Sequence, residues 1–155
     1  MRIKRIIDVS RRIKTGMAVW PGDEGIKIDL NSSIKMGDMC NVSSIHMGLH
    51  TGTHIDAPRH FLDEKEDIAS LDLSMYIGYV NVFELNVSEC ITAVDIKDLY
   101  IEKGDVVFFK TANSDISIME EFKKDYIYLD KSACEFLIEK GVKTVGIDYL
   151  SIDGY

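Results

Sequence analysis

Residues 50–60 read HTGTHIDAPRH: three imidazoles and a carboxylate in one short run that also holds a glycine, two threonines and a proline. Gly52 and the threonines make a helix poor here, and Pro58 forbids one that continues through it. A turn fits better, because glycine lets the backbone fold back sharply. His54 and Asp56 are two residues apart, so in extended chain they share a face, and Pro58 favours extended backbone at Ala57. A turn between His50 and His54 then brings the first imidazole over the other two groups. The run is therefore a bent loop joining regular elements.

Two imidazoles and one carboxylate are a common catalytic zinc set with a fourth position left open to water. Manganese also suits nitrogen and oxygen donors. Bound zinc lowers the pKa of its water to about 7 and polarises a carbonyl at once. His60, two residues past Pro58, falls beside such a site. It serves there as general base and acid, or it binds a second ion with Asp56 bridging the two; spacing leaves both roles open. The candidate ligands are thus His50, His54, Asp56 and His60, for one or two ions. The remaining histidine, His46, shares a strand face with Ser44, Gly48 and His50 and is read as structural. For the whole group the bland alternative is a histidine-rich surface loop.

The rest of the chain sets the context. It has 155 residues, 46% hydrophobic and 28% charged, which reads as one soluble globular domain over 1–155 with room for a real core. A net charge of −8 argues against a protein that tracks nucleic-acid phosphates. The basic run RRIK at 11–14 is short and reads as solvated surface. Cys40, Cys90 and Cys134 are odd in number and far apart, so they are expected to be reduced, mostly buried thiols of a cytoplasmic protein. The charged start MRIKRIIDVS lacks the apolar region of a signal peptide, and no apolar run approaches a membrane span. Neither a GxSxG elbow nor a phosphate-binding glycine loop occurs.

Strands are expected over 3–10, 26–30 (half-buried, by alternation), 42–50, 79–87, 105–112, 126–130 and 144–148. VWPGDEG at 19–25 reads as a turn. Thr92 with Asp95 predicts a capping box opening a helix to about Ile101. Ser132 with Glu135 predicts another, with Ala133, Phe136 and Leu137 inward and Gly141 ending the helix. The first half is mostly strand and the second alternates helix and strand, which suggests an α/β chain with a mixed sheet.

HTGTHIDAPRHF at 50–61 resembles the HxGTHxDxPxHF motif of the metal-dependent cyclase family, which includes bacterial kynurenine formamidases and isatin hydrolases. VWPGD at 19–23 is similar to a loop the family places near the substrate. GDVVFFKTA at 104–112 is similar to its GDxVLxxTG strand, with Ala112 in place of the usual glycine. EFLIEKGVKTVGIDYLSID at 135–153 is similar to its helix–strand segment ending in GIDxxSID. The resemblance implies a swivelling β/β/α-type domain with a mixed, barrel-like sheet. It implies metal binding by His50, His54 and Asp56, and His60 as second-metal ligand or acid–base. It also implies Trp20 at the substrate pocket, a homodimer or homotetramer, and a small-molecule substrate. Trp20 reads equally well as a core tryptophan, and Asp148 and Ser151 as structural. Family members usually continue past GIDxxSID into a segment bearing a histidine and a site-completing glutamate, which this sequence lacks. Three functions follow: a zinc- or manganese-dependent hydrolase of a small amide or lactone; a metal-binding but catalytically incomplete relative; and a structural subunit whose histidine cluster is incidental.

Overall fold

The computed structural model describes residues 5–117, 119 and 121–155. They divide into two compact units, Met1–Ile55 with Ile118–Phe122, and Asp56–Ser117 with Lys123–Tyr155.

The first unit is built on an antiparallel ribbon of β1 (Lys27–Ser32) and β2 (Val42–His46), with Ile28 opposite Ile45 and a bulge between Leu30 and Ser32. Its connection is held by side chains: the Ser33 N–H donates to Asp38 (2.6 Å) and the Ile34 N–H to Asn41 (3.0 Å). Upstream, the Asp23 N–H closes on the Trp20 carbonyl (3.0 Å) around Pro21 and a left-handed Gly22, φ 101°. That is the type II turn which Pro-Gly at the two central positions favours. Two expectations are corrected here. The ribbon alternates as anticipated, yet it is not half-buried: Ile28, Leu30 and Ile45 share a face and stay 47%, 60% and 55% exposed. The strand expected over 3–10 begins outside the described residues, and 5–10 form none. Asp8 instead accepts from the N–H and hydroxyl of Ser10, at 2.9 and 2.6 Å, so the local turn takes the place of a ladder.

The second unit is α/β. It comprises β3 (Val80–Glu84), β4 (Cys90–Ile91), α1 (Ala93–Ile96), β5 (Val106–Lys110), β6 (Tyr128–Leu129), α2 (Lys131–Lys140) and β7 (Thr144–Ile147). Strands β3, β5 and β7 run parallel in that spatial order, and β4 pairs with β6, also in parallel. Parallel neighbours need crossovers, and the sequence supplies helices for them. Ile91, Ile96, Val107, Phe109, Leu129 and Leu137 form the centre of the core. The barrel-like mixed sheet is not formed: among the described residues the strands make three separate open sheets. Two-residue strands such as β4 and β6 offer too few ladder bonds to close one.

Caps set the helix ends. Thr92 and Asp95 form the anticipated box, with Asp95 accepting from the Thr92 N–H (2.8 Å) and hydroxyl (2.6 Å). The helix stops at Ile96 rather than near Ile101, where an N–H from Leu99 tightens onto the Ile96 carbonyl (3.1 Å). At α2 the cap is Asp130, not Ser132: its carboxylate accepts from the Ala133 N–H (2.9 Å). A carboxylate at a helix N-terminus is favoured by the helix dipole as well as by the hydrogen bond. Ser132 is thereby freed to donate to Asp130 (2.7 Å) and accept from the Ala93 N–H (2.9 Å), which ties α2 to the start of α1. Gly141 ends α2 in the left-handed conformation, φ 72°. Ala133 and Leu137 are buried and Phe136 half-buried, as the pattern predicts. No helix of the described residues is long and apolar enough to cross a membrane. All three cysteines are free, and Cys40 is exposed rather than buried.

Two polar side chains anchor the turn after β5, Asp148 from the end of β7 and Asn113 to the residue that precedes β6. Asp148 accepts from the Thr111 N–H (2.7 Å), the Thr111 hydroxyl (2.9 Å) and the Ser114 hydroxyl (2.6 Å). Asn113, 2% exposed, donates its amide to the Ile127 carbonyl (2.8 Å) and accepts from the Ile127 N–H (2.9 Å), as a neighbouring strand would. Replacing Asp148 with alanine strands three donors, and hydrogen bonds to charged groups contribute about 1.5–3 kcal/mol each in favourable cases. Because the site is only half-buried, water can satisfy some of these donors, and urea unfolding of Asp148→Ala is expected to show a loss of roughly 2–3 kcal/mol with an unchanged m-value.

Tyr126, 2% exposed and stacked on Tyr149 with ring centroids 4.3 Å apart, is held neutral by burial, its pKa pushed up to about 12. A phenol raised above its unfolded value near 10 stabilises the fold below that pH and ceases to as pH rises toward 12. Ultraviolet titration should therefore show one tyrosine of the seven ionising last, and Tyr126→Phe should abolish that step.

Candidate metal centre

The ligand-bearing loop is shaped by backbone before chemistry. At the end of β2, His46 is engaged by the Glu24 carboxylate, in keeping with a structural role. Thr51 is buried at 3% exposure and Gly52 turns through the left-handed region, φ 68°. The turn anticipated at this glycine is present, and it aims the Gly52 carbonyl back at His54, whose Nδ1 lies 2.9 Å away. A carbonyl only accepts, so Nδ1 carries the proton and Nε2 keeps its lone pair for a ligand. The His50 ring stands edge-on to that of His54, centroids 5.2 Å apart.

Past Ile55 the chain is extended at Ala57, φ −84° and ψ 158°, as Pro58 requires. Pro58–His60 then form a single 3-10 turn with proline in its first position, closed by the His60 N–H on the Ala57 carbonyl (2.9 Å). This turn brings His60 back toward Asp56. His50 and His54 of the first unit and Asp56 and His60 of the second each carry a side chain able to ligate a metal. His50 and His54 are half-buried, Asp56 and His60 exposed. Imidazole nitrogens with one carboxylate oxygen are the donor set that zinc and manganese accept, so the residues present fit a divalent ion. Trp20 is half-buried, edge-on to Phe122 at 5.1 Å between centroids.

The Gly52 carbonyl is the element that sequence reasoning missed. The signal was present: a histidine two residues after a glycine in a turn is within reach of that glycine's carbonyl.

The class defined by this fold and donor set is that of metal-dependent hydrolases, and comparison with known proteins agrees. The chain belongs to the family described as "Putative cyclase", whose model matches residues 7–154. It is 29% identical over 153 residues to a kynurenine formamidase of Bacillus cereus, covering 99% of this chain and 72% of that one. A solved structure described as a potential metal-dependent hydrolase with cyclase activity superposes with a TM-score of 0.80 at 34% identity, over 95% of this chain and 69% of the other. Isatin hydrolase A from Labrenzia aggregata shares the fold, with a TM-score of 0.78 at 20% identity over 97% of this chain and 70% of that one.

Metal analysis tests the ligand assignment. Protein purified with zinc or manganese present should carry bound ion. His54→Ala and Asp56→Ala should each lose most of it, whereas His46→Ala should retain it. Equal occupancy in all four proteins would discard the assignment.

Proposed function

We propose that this chain is a metal-dependent hydrolase of a small amide or lactone, with an arylformamide as the leading substrate class. The observation that carries the reading is His54, whose Nδ1 is engaged by the Gly52 carbonyl so that Nε2 is left for a ligand, within a run that also holds His50, Asp56 and His60. Kinship with a kynurenine formamidase supports a carbon–nitrogen bond as the target.

In this reading His50, His54 and Asp56 hold a divalent ion, zinc first and manganese second. When bound, such an ion supplies a Lewis acid for the substrate carbonyl and acidifies water at neutral pH. The chain's own residues do the rest. Asp56 brings a negative charge that offsets part of the cation's, and His54 stays oriented through the Gly52 carbonyl. His60, held in its 3-10 turn by Pro58, takes a proton from the attacking water and returns it to the leaving nitrogen. A histidine suits that exchange because its charge changes near neutral pH. Trp20 contributes an apolar wall for an aromatic substrate. The exposed apolar face of β1 and β2 supports self-association into a dimer or tetramer.

The test separates binding from turnover. His60→Ala is expected to keep its metal and lose about 100-fold or more in kcat on N-formylkynurenine or a simple formanilide, as befits a lost general acid–base. His54→Ala should lose both. Metal binding with no turnover of any amide, lactone or aryl ester by the parent protein would favour the catalytically incomplete alternative. Chelation that leaves the melting temperature unchanged would favour the incidental one.

A further inference from the structure

Residues 11–17 approach the ligand loop at three points, all within the first unit. The Arg11 N–H donates to the Thr53 hydroxyl oxygen at 2.8 Å, a bond spanning 42 residues of sequence. The Ile13 side chain lies over Gly52 so closely that a Cβ there would sit 2.6 Å from its Cδ1. Met17, 7% exposed, approaches the same point to 3.7 Å. These contacts fall on the residue whose left-handed turn directs its carbonyl to His54 and on the residue between that turn and His54. Nothing in the chemistry of RRIKTGM marks it as functional, and a solvated basic run would account for its sequence.

We infer that residues 11–17 act as a positioning strap for the metal loop, in which Arg11 N–H on Thr53 and Ile13 over Gly52 hold the carbonyl that fixes the tautomer of His54. The inference rests on the metal-binding reading above but concerns different atoms. Among the described residues the Thr53 hydroxyl takes its one hydrogen bond from the Arg11 N–H. A larger residue at 52 would be strained by the left-handed φ and would have to push the Ile13 methyl aside. Groups that orient a metal ligand from behind typically change affinity by about 10- to 100-fold when removed.

Thr53→Val and Thr53→Ser separate the hydroxyl from the side chain's bulk. Each variant is compared with the parent protein in two measurements: zinc affinity by competition with a chromogenic chelator, and the nitrogen-15 shifts of the His54 ring in metal-free protein. Thr53→Val should bind zinc about tenfold more weakly and show His54 as a mixture of tautomers, with unchanged far-ultraviolet circular dichroism. Thr53→Ser should restore both. Ile13→Ala should move the same two readouts in the same direction as Thr53→Val. A Thr53→Val protein with parental affinity and a single His54 tautomer would overturn the strap. If the parent protein binds no zinc, the metal reading fails, while the ring shifts still decide whether the strap sets the tautomer.

Discussion

The arrangement at the ligand loop depends on a backbone dihedral at Gly52. A left-handed residue there reverses the chain between His50 and His54 and turns its own carbonyl inward, where it meets Nδ1 of His54 at 2.9 Å. Any side chain at that position would meet both the intrinsic cost of the left-handed region and the methyl of Ile13. A conformational preference is thus converted into a chemical one. The turn decides which nitrogen of the His54 imidazole is protonated, and so which one keeps a free lone pair. Pro58 does the complementary work on the far side, holding Ala57 extended and then starting the short turn that carries His60.

The second unit is held by a similar division of labour between apolar burial and a few well-placed polar groups. Ile91, Ile96, Val107, Phe109, Leu129 and Leu137 supply the non-directional part. Direction comes from caps and clamps. Asp130 and Ser132 join the start of α2 to that of α1. Asp148 draws the exit of β5 to the exit of β7. The string GID at 146–148 is in this light a joint: its isoleucine completes β7, and its aspartate ties down the turn that follows β5.

What could be read from the sequence follows from how local each feature is. The Gly52 bend, the Pro58 extension, the Trp20–Asp23 turn, the Thr92 box and the Gly141 stop are each written within four or five residues, and each is where it was anticipated. Strands β3, β5, β6 and β7 were legible from β-branched and aromatic runs, although their ends were not, because pairing partners set the ends. Choices between near-equal local options were the ones missed. Asp130 competed with Ser132 for the cap, and the Asp8–Ser10 turn competed with a strand over 5–10. Sheet closure and the exposure of Ile28, Leu30 and Ile45 are beyond any window of residues, since they depend on what packs where. Contacts at long separation, such as Arg11 with Thr53, leave no trace in composition or period.

Asn113 carries one more consequence. Its amide offers a donor to the Ile127 carbonyl and an acceptor to the Ile127 N–H, so it stands in for a peptide group where no strand runs. Loss of ammonia from that side chain would leave two oxygens where the joint needs one oxygen and one nitrogen. A carboxylate would then face a carbonyl across a buried gap, repelling the segment it now holds. Ser114, the residue that follows, is small enough to let such a reaction proceed in a slack chain, and it is the rigid turn over Ala112–Asp115 that restrains it. The chemical lifetime of this protein is in that sense tied to how seldom the turn opens.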